Sequence, residues 1–179
     1  MEAVQTQHAD LIEACKQGRR DAQFELYKLY SKAMYNTALR MLQNAHDAED
    51  ILQSAFLEVF AKLDTFRFES SLGSWIKRIL INKCINHLKN QKIAISPLDH
   101  NEYRLEDSPA TETEPIYSVE KVRRAIERLP DGYRIVFSLY ALEGYDHKEI
   151  AHILGISESA SKSQYSRAKA RLREMITTG

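Results

Sequence analysis

Apolar residues recur at intervals of three and four along almost all of the first half of this 179-residue chain. This spacing predicts amphipathic helices from Gln7 to Lys92, with breaks near Gly18, from Asn44 to Asp47 and from Asp64 to Gly73. No segment of the sequence shows the sustained polar and apolar alternation that is typical of β-strands. We therefore predict an all-helical domain over residues 1–92.

Helical periodicity is lost over residues 93–117 and returns at Ser118. The intervening segment collects prolines, acidic residues, serine and threonine, which is the composition of an exposed, flexible linker. After it the helical pattern runs to the end of the chain, with a stop at Pro130-Asp131-Gly132. We expect an all-α fold in which two small helical domains, residues 1–92 and 118–179, are joined by a flexible acidic linker.

The second domain ends in a predicted helix-turn-helix. Ile150 and Leu154 share one face of a first helix, and Gly155 provides the backbone freedom of a sharp turn. Ser157 can cap a second helix, and Glu158 favours the positive end of its dipole.

This second helix, Glu158 to Met175, is amphipathic. Its predicted buried positions are Ser161, Tyr165, Ala168, Leu172 and Met175. Serine and basic residues occupy the remaining faces, which suits a recognition helix in the DNA major groove. The alternative is a surface helix with a solvated charged face. The candidate DNA contacts are Ser159, Lys162, Ser163, Ser166, Arg167, Lys169 and Arg171.

A second informative segment begins with the aromatic and basic residues Phe66, Arg67 and Phe68 and runs into a helix. Its predicted core face carries Ile81, Cys84, Ile85 and Leu88, and the opposite face carries Trp75, Arg78, Asn82, Asn86 and Lys89. Aromatic rings stack on unpaired bases, amides bind base edges and cations contact phosphates, so this face suits capture of a single strand. The alternative places Trp75 at the edge of the core beside a polar surface.

A third segment, residues 46–63, combines an acidic helix start with strong packing residues. The predicted buried face holds Leu52, Ala55, Phe56, Val59, Phe60 and Leu63, whereas Asp50, Gln53 and Leu57 lie outside. An exposed leucine among acids is a plausible docking site for a basic partner helix. The ordinary enrichment of acids at a helix N-terminus is the alternative explanation for Asp47 and Asp50.

The formal net charge of zero conceals unlike segments. Residues 1–92 carry 13 basic and 11 acidic side chains, residues 93–117 carry 1 and 6, and residues 118–179 carry 11 and 8. Because salt confines surface charge effects to about 10 Å, the local field decides whether a face can bind DNA. The sequence has no membrane-length apolar run and no secretory signal, so we expect a cytoplasmic protein with two buried thiols.

Together the segments resemble the extracytoplasmic-function sigma factors, the small alternative promoter-specificity subunits of bacterial RNA polymerase. Residues 47–56 are similar to the polymerase-binding helix of that family, Phe66 to Arg78 to its promoter-melting segment, and the helix through Lys89 to its minus-ten reader. Short segments of the C-terminal half are similar to the minus-thirty-five domain of that family. They are Arg128-Leu-Pro, Tyr133-Arg, Glu143-Gly-Tyr, Glu149-Ile-Ala, Leu154-Gly-Ile-Ser and Ser166-Arg-Ala-Lys-Ala-Arg-Leu.

This resemblance implies a non-catalytic initiation factor whose partners are the polymerase core, promoter DNA and an anti-sigma factor. It places Asp47, Asp50, Gln53 and Leu57 on the polymerase, and the aromatic loop and the Trp75 face at the melted minus-ten element. Many members have Gly-Thr-Val-Lys-Ser-Arg-Leu where this chain has residues 159–165, so Gln164 replaces an arginine of the recognition helix. The promoter sequence therefore does not follow from the resemblance.

Two other functions compete with this one. An ordinary regulator would sense a ligand with its N-terminal helices and bind an operator as a dimer, without polymerase. A helical metal phosphohydrolase is prompted by His46-Asp47 and by six histidines. The histidines are scattered, with His100 in the linker, and the sequence has no phosphate loop or nucleophile elbow. We therefore expect no catalytic residue, metal or cofactor.

Overall fold

The computed structural model describes residues 8–91 and 118–178, and every regular element in these ranges is helical. The chain divides into two compact units, Met1–Leu88 and Lys89–Gly179. The all-α fold is thus confirmed. The predicted linker, residues 93–117, lies outside the described residues.

The first unit is built from four helices. These are α1 (Ala9–Lys16), α2 (Arg20–Leu42), α3 (Ala45–Lys62) and α4 (Leu72–Asn90), with a short 3-10 turn at Leu63–Thr65 after α3. The start of α3 falls inside a predicted break because the Asn44 side chain caps it, accepting hydrogen bonds from the His46 and Asp47 amides at 2.9 and 3.2 Å.

The core of this unit lies where α2, α3 and α4 meet. The predicted apolar face of α3 is buried at Leu52, Ala55, Phe56 and Val59 and continues into Leu63 of the 3-10 turn, whereas Phe60 is only half-buried. The predicted core face of α4 is buried at Ile81, Cys84, Ile85 and Leu88. Tyr27 of α2 packs edge-on against Phe56, with ring centroids 4.8 Å apart. A Cβ atom on Gly73 would lie 3.0 Å from the Tyr30 ring, so glycine allows α4 to approach α2 closely. Both cysteines are buried, as predicted.

The second unit also has four helices, interrupted by one π-helical turn. They are α5 (Val119–Glu127), α6 (Asp131–Phe137), α7 (His147–Leu154) and α8 (Glu158–Thr178), with the π-helical turn at Ser138–Leu142. One core cluster joins α5 to the C-terminal half of α8 and comprises Ala125, Ile126, Leu129, Ala168, Leu172 and Ile176. Val119, an apolar residue at the first position of α5, is 85% exposed.

The predicted helix-turn-helix is formed by α7 and α8. Asp146 and Glu149 form a reciprocal capping box at the start of α7. Gly155 ends α7 with φ of +71°, a conformation that glycine adopts without steric cost. The Ser157 hydroxyl then accepts a hydrogen bond from the Ala160 amide at 3.0 Å, which caps α8 as predicted.

A buried arginine holds the connection between α5 and α6. The guanidinium of Arg134 donates a hydrogen bond to the Leu129 carbonyl at 3.0 Å and pairs with Asp131, so it braces the turn around Pro130. The side chain of Arg134 is 5% exposed. A charged group at such a site needs its partners, because an unpaired buried charge is strongly destabilising.

Replacing Arg134 with Met should therefore destabilise the second unit by about 1.5–3 kcal/mol, since the turn loses a charge-assisted hydrogen bond to a backbone carbonyl. Urea unfolding followed by far-ultraviolet circular dichroism measures this change. The matched control is Arg124→Met on the exposed side of α5, with an expected change within about 0.5 kcal/mol. Equal effects of the two substitutions would show that Arg134 does not brace the turn.

Candidate nucleic-acid interface

The polar face of α4 is presented to solvent. Arg78, Asn82, Asn86 and Lys89 are exposed along this face, and Trp75 at its N-terminal end is half-buried. The burial of the opposite face fixes this orientation, because a helix can hide only one side against its neighbours. The predicted alignment of one ring, two amides and two cations is thus formed.

The aromatic loop before α4 is organised around Phe66. The Phe66 ring is 4.7 Å from that of Phe68 and 5.3 Å from that of Trp75, centroid to centroid. Phe66 is only 6% exposed, so a contact between its ring and a base would require it to leave the core. In this structure its ring packs against those of Phe68 and Trp75, and its expected contact with DNA stays a prediction. Arg67 is exposed.

Phe68 has a backbone conformation that bulky side chains rarely adopt. Its φ is +58°, in the left-handed region, which costs roughly 1–2 kcal/mol for a residue with a Cβ atom. Such strain is often kept where a side chain must be presented in a particular direction. Phe68 therefore remains a good candidate for a functional aromatic in this loop.

A groove of about 240 Å³ lies beside the polar face of α4. Its walls are formed by Glu58, Lys62, Trp75, Arg78, Ile79, Asn82, Lys83 and Asn86. Glu58, Lys62 and Lys83 were missed from the sequence as site residues. The only sequence signal was the four-residue spacing of Glu58 and Lys62, which is typical of any helical ion pair.

Charge in this groove is strongly compensated. The Glu58 carboxylate pairs with Lys62 at 2.6 Å and with Lys83 at 2.8 Å. Hydrogen bonds from these two lysines lower the pKa of Glu58 below its usual value, so the carboxylate is ionised at neutral pH. With Arg78 included, three cations and one anion line the groove, which leaves a positive local field despite the neutral chain.

The acidic helix α3 presents three of its four predicted polymerase contacts. Asp50 and Gln53 are exposed and Leu57 is 72% exposed. Asp47 differs, because its carboxylate lies 3.3 Å from Nε2 of His87 on α4 and is largely covered. Asp47 therefore links two helices of the first unit, a role that the sequence did not indicate.

On α8 most of the predicted DNA-contacting residues lie at the surface. Ser159, Lys162, Ser163, Ser166, Lys169 and Arg171 are exposed, and Arg167 is half-buried. Three of the cations already have intramolecular contacts. Lys162 pairs with Glu158 at 2.6 Å, Arg171 pairs with Glu174 at 3.0 Å, and Lys169 lies over the Tyr165 ring at 4.9 Å.

The departure from the family pattern at Gln164 lies in the interior. Gln164 is 2% exposed, on the same side of α8 as the buried Ser161 and Ala168. Gln164 therefore belongs to the packed interior of α8 and not to the surface that the helix presents to solvent. The burial of Gln164 was not predicted from the sequence, because a glutamine is normally assigned to the solvent side of a helix.

His147 joins the two helices of the helix-turn-helix. Its Nδ1 atom lies 2.9 Å from the Ser161 hydroxyl, and its ring stacks on Tyr140 at 4.3 Å. Tyr165 of α8 completes this cluster, 4.4 Å from Tyr140. Burial and, to a smaller degree, the charge of Lys162 lower the pKa of His147 below its usual value, so the fold favours the neutral imidazole.

Within residues 8–91 and 118–178, no group of three or more His, Cys, Asp or Glu side chains is placed to hold a metal ion. The histidine of the predicted linker, His100, lies outside these ranges. None of the helices in the same described ranges has the length and apolar character needed to cross a bilayer.

Comparison with known proteins assigns both units to one family. Residues 26–93 match the family Sigma-70 region 2, and residues 119–172 match the family Sigma-70, region 4. ECF RNA polymerase sigma factor SigM of Mycobacterium tuberculosis H37Rv is 30% identical over 170 residues, covering 94% of this chain and 84% of that protein. ECF RNA polymerase sigma factor SigW of Bacillus subtilis is 28% identical over 177 residues, covering 92% and 94%.

Among solved structures, the chain is similar to the sigma factor RpoE in complex with the anti-sigma factor NepR from Bartonella quintana. The TM-score is 0.55 at 22% identity, with 86% of this chain and 95% of that chain covered, which shows a shared fold. The sequence relationship is the stronger finding, because it extends over both units. The chain belongs to the extracytoplasmic-function sigma factors of the sigma-70 family.

The second unit should lose stability on acidification through His147. The unfolded chain takes up a proton near the ordinary histidine pKa of about 6.5, whereas the folded state resists it. The stabilisation is therefore present above that value and is lost as the pH falls through it toward the lowered pKa. His147→Gln should flatten the fall of the urea midpoint with decreasing pH. His152→Gln, on the exposed side of α7, is the control, and a slope that His147→Gln leaves unchanged contradicts the assignment.

Proposed function

We propose that this protein directs the core of bacterial RNA polymerase to specific promoters and helps to open the duplex there. The observation that carries the proposal is the membership of both units in one sigma-factor family, with a face in the first unit that combines the half-buried Trp75 with exposed amides and cations. Such a protein supplies binding energy and orientation, and the chemistry of RNA synthesis belongs to the polymerase. Because it works with that enzyme, we place it in the cytoplasm.

In this proposal α3 docks on the polymerase core. Leu57 offers an apolar contact, and Asp50 and Gln53 offer polar contacts beside it. An exposed leucine loses no folding energy when it is covered by a partner, and its burial stabilises the complex by about 1.5–3 kcal/mol. Asp47 supports the same surface indirectly through His87.

The face of α4 is proposed to hold the opened minus-ten strand. Phe68 and Trp75 provide aromatic surface on which unpaired bases can stack, and stacking contributes about 1–3 kcal/mol per base. The amides of Asn82 and Asn86 can hydrogen-bond base edges, and Lys89 can contact a phosphate. Aromatic rings and amides bind an unpaired strand more tightly than a closed duplex, because only the unpaired strand exposes its bases. Binding at this face therefore favours melting.

The helix-turn-helix is proposed to bind the upstream duplex in the major groove through α8. Lys162, Ser163 and Arg167 are the central candidates on its outer side. Since Lys162 is paired with Glu158, DNA phosphates would have to compete for it. Arg167 emerges next to the buried Ala168, a position that holds its backbone firmly.

An anti-sigma factor is proposed as a further partner. RpoE, which has the same fold, was solved together with such a factor. A partner of this kind would cover the polymerase-binding face or the DNA-binding faces and thus keep the protein inactive. The exposed apolar side chain of Leu57 is a suitable anchor, because buried apolar residues dominate binding energy at interfaces.

Trp75→Ala should impair open-complex formation more strongly than core binding, since it removes a stacking ring from the strand-binding face. The assay is in vitro transcription with purified core polymerase on a pool of bacterial promoters, with core binding measured by co-elution and opening by reactivity of unpaired thymines. Trp75→Phe, which keeps an aromatic ring, should retain most of the activity. Equal losses of core binding and opening would contradict the role of Trp75, and no promoter-specific transcript from the natural protein would contradict the proposed function.

Arg167→Ala should weaken binding of the assembled polymerase to the upstream element and reduce the salt dependence of that binding. Removing one cation from a phosphate lowers the slope of log affinity against log salt by about 0.9 for duplex DNA. Arg173→Ala removes the same charge from another face of α8 and should leave the slope unchanged. If the two variants have the same slope, Arg167 binds no phosphate.

A further inference from the structure

Glu58 and two lysines form one wall of the groove beside α4. Glu58 and Lys62 lie one turn apart on α3, and Lys83 projects from α4, so the carboxylate bridges the two helices. The groove that they line also contains Trp75 and Asn82 of the proposed strand-binding face. A strand held by that face would bring its phosphates into reach of these lysines.

Lys62 and Lys83 already bind one anionic group, the carboxylate of Glu58. One oxygen of Glu58 accepts from Lys62 at 2.6 Å and the other from Lys83 at 2.8 Å, so a negative group already lies between the two cations. All three side chains retain solvent exposure, which leaves the lysines accessible to a second anion. Carboxylate and phosphate oxygens both accept hydrogen bonds from lysine ammonium groups, so they compete for the same donors. The negative charge of Glu58 also repels a phosphate.

We infer that Glu58 is an internal competitor for the phosphates of the captured strand. In the absence of DNA it holds Lys62 and Lys83, and a phosphate must take these lysines from it. This inference rests on the proposed binding of a single strand at the α4 face. It deepens that proposal by assigning a regulatory residue to the groove.

Competition by Glu58 affects which kind of DNA the groove retains. Contacts with phosphates are the same for every sequence and for paired and unpaired DNA, whereas stacking on Trp75 and hydrogen bonds to Asn82 require exposed bases. By weakening the phosphate contribution, Glu58 makes retention of a strand depend more on its unpaired bases. The groove would then favour opened promoter DNA over other polyanions.

A different role for the same carboxylate is possible in chemical terms. Carboxylates accept hydrogen bonds from the exocyclic amino group of cytosine, so Glu58 could read a base. The geometry favours competition instead, because both oxygens already accept from lysine ammoniums. The two roles differ for a strand that has phosphates but no bases: neutralising a competitor should tighten its binding, whereas neutralising a base reader should leave its binding unchanged.

The experiment uses the full chain with Glu58→Gln, which keeps the side-chain shape and removes the charge. Two end-labelled probes of equal length, a mixed-sequence single-stranded oligodeoxynucleotide and an abasic one, are titrated over a range of salt concentrations by fluorescence anisotropy. Trp75 is the only tryptophan, so quenching of its fluorescence locates the base-bearing probe in the groove. Glu25→Gln, an equal charge change on the exposed side of α2, is the matched control.

Glu58→Gln should raise the affinity for both probes about 1.5- to fivefold relative to Glu25→Gln, the range expected when one exposed ion-pair partner is removed. The salt slope should become steeper by about 0.7 for each lysine released to a phosphate of a single strand. Adding Lys83→Gln to the Glu58→Gln protein removes one of the two released lysines and should cancel about half of this gain. Circular dichroism melting verifies that each variant is folded.

Several outcomes would overturn the inference. A gain no larger than that of Glu25→Gln would reduce the effect to net charge, and a loss for both probes would show that Glu58 positions the lysines for DNA. A loss confined to the base-bearing probe would identify a base reader. If no variant, the natural protein included, binds either probe or shows quenching of Trp75, single-strand binding itself is refuted, a result distinct from the first three.

Discussion

The burial of one side of α4 is the constraint on which the site of the first unit depends. Six of its apolar side chains are at most 2% exposed: Ile76, Leu80, Ile81, Cys84, Ile85 and Leu88. Burying each large aliphatic side chain stabilises the fold by about 1.5–3 kcal/mol, more than a surface hydrogen bond contributes. This difference fixes the rotation of the helix about its axis. Its amides and cations consequently face outward as one row, with Trp75 at the edge of the core.

Charge is arranged by local pairing in both units, which is how a chain of zero net charge can offer faces to a polyanion. Glu58 neutralises lysines of the groove, and Glu158 does the same for Lys162 on the recognition helix. Exposed pairs of this kind add little stability, so they can be exchanged for phosphate contacts at small cost. The same pairs limit attraction to nucleic acid in general, since a phosphate gains only the difference between two partners.

In the second unit, buried and half-buried polar groups set the position of α8. The contact of His147 with Ser161 joins α7 to α8, and Tyr140 stacks on the His147 ring. Arg134 performs a comparable role at the turn before α6. Buried polar contacts are demanding because an unsatisfied group is costly, and for that reason they select one arrangement of helices over near alternatives.

The order of amino acids alone was sufficient for the helices, their principal breaks, the helix-turn-helix and the outward row on α4, because a period of 3.6 residues and the capping residues are local properties. It was not sufficient for Phe66, Gln164 or Asp47, whose surroundings come from other helices. The meeting of Glu58 with Lys83 is of the same kind, because these residues lie on different helices and the packing of α3 against α4 brings them together. Local periodicity tells which side of a helix is apolar, whereas the packed fold determines which polar groups meet across helices.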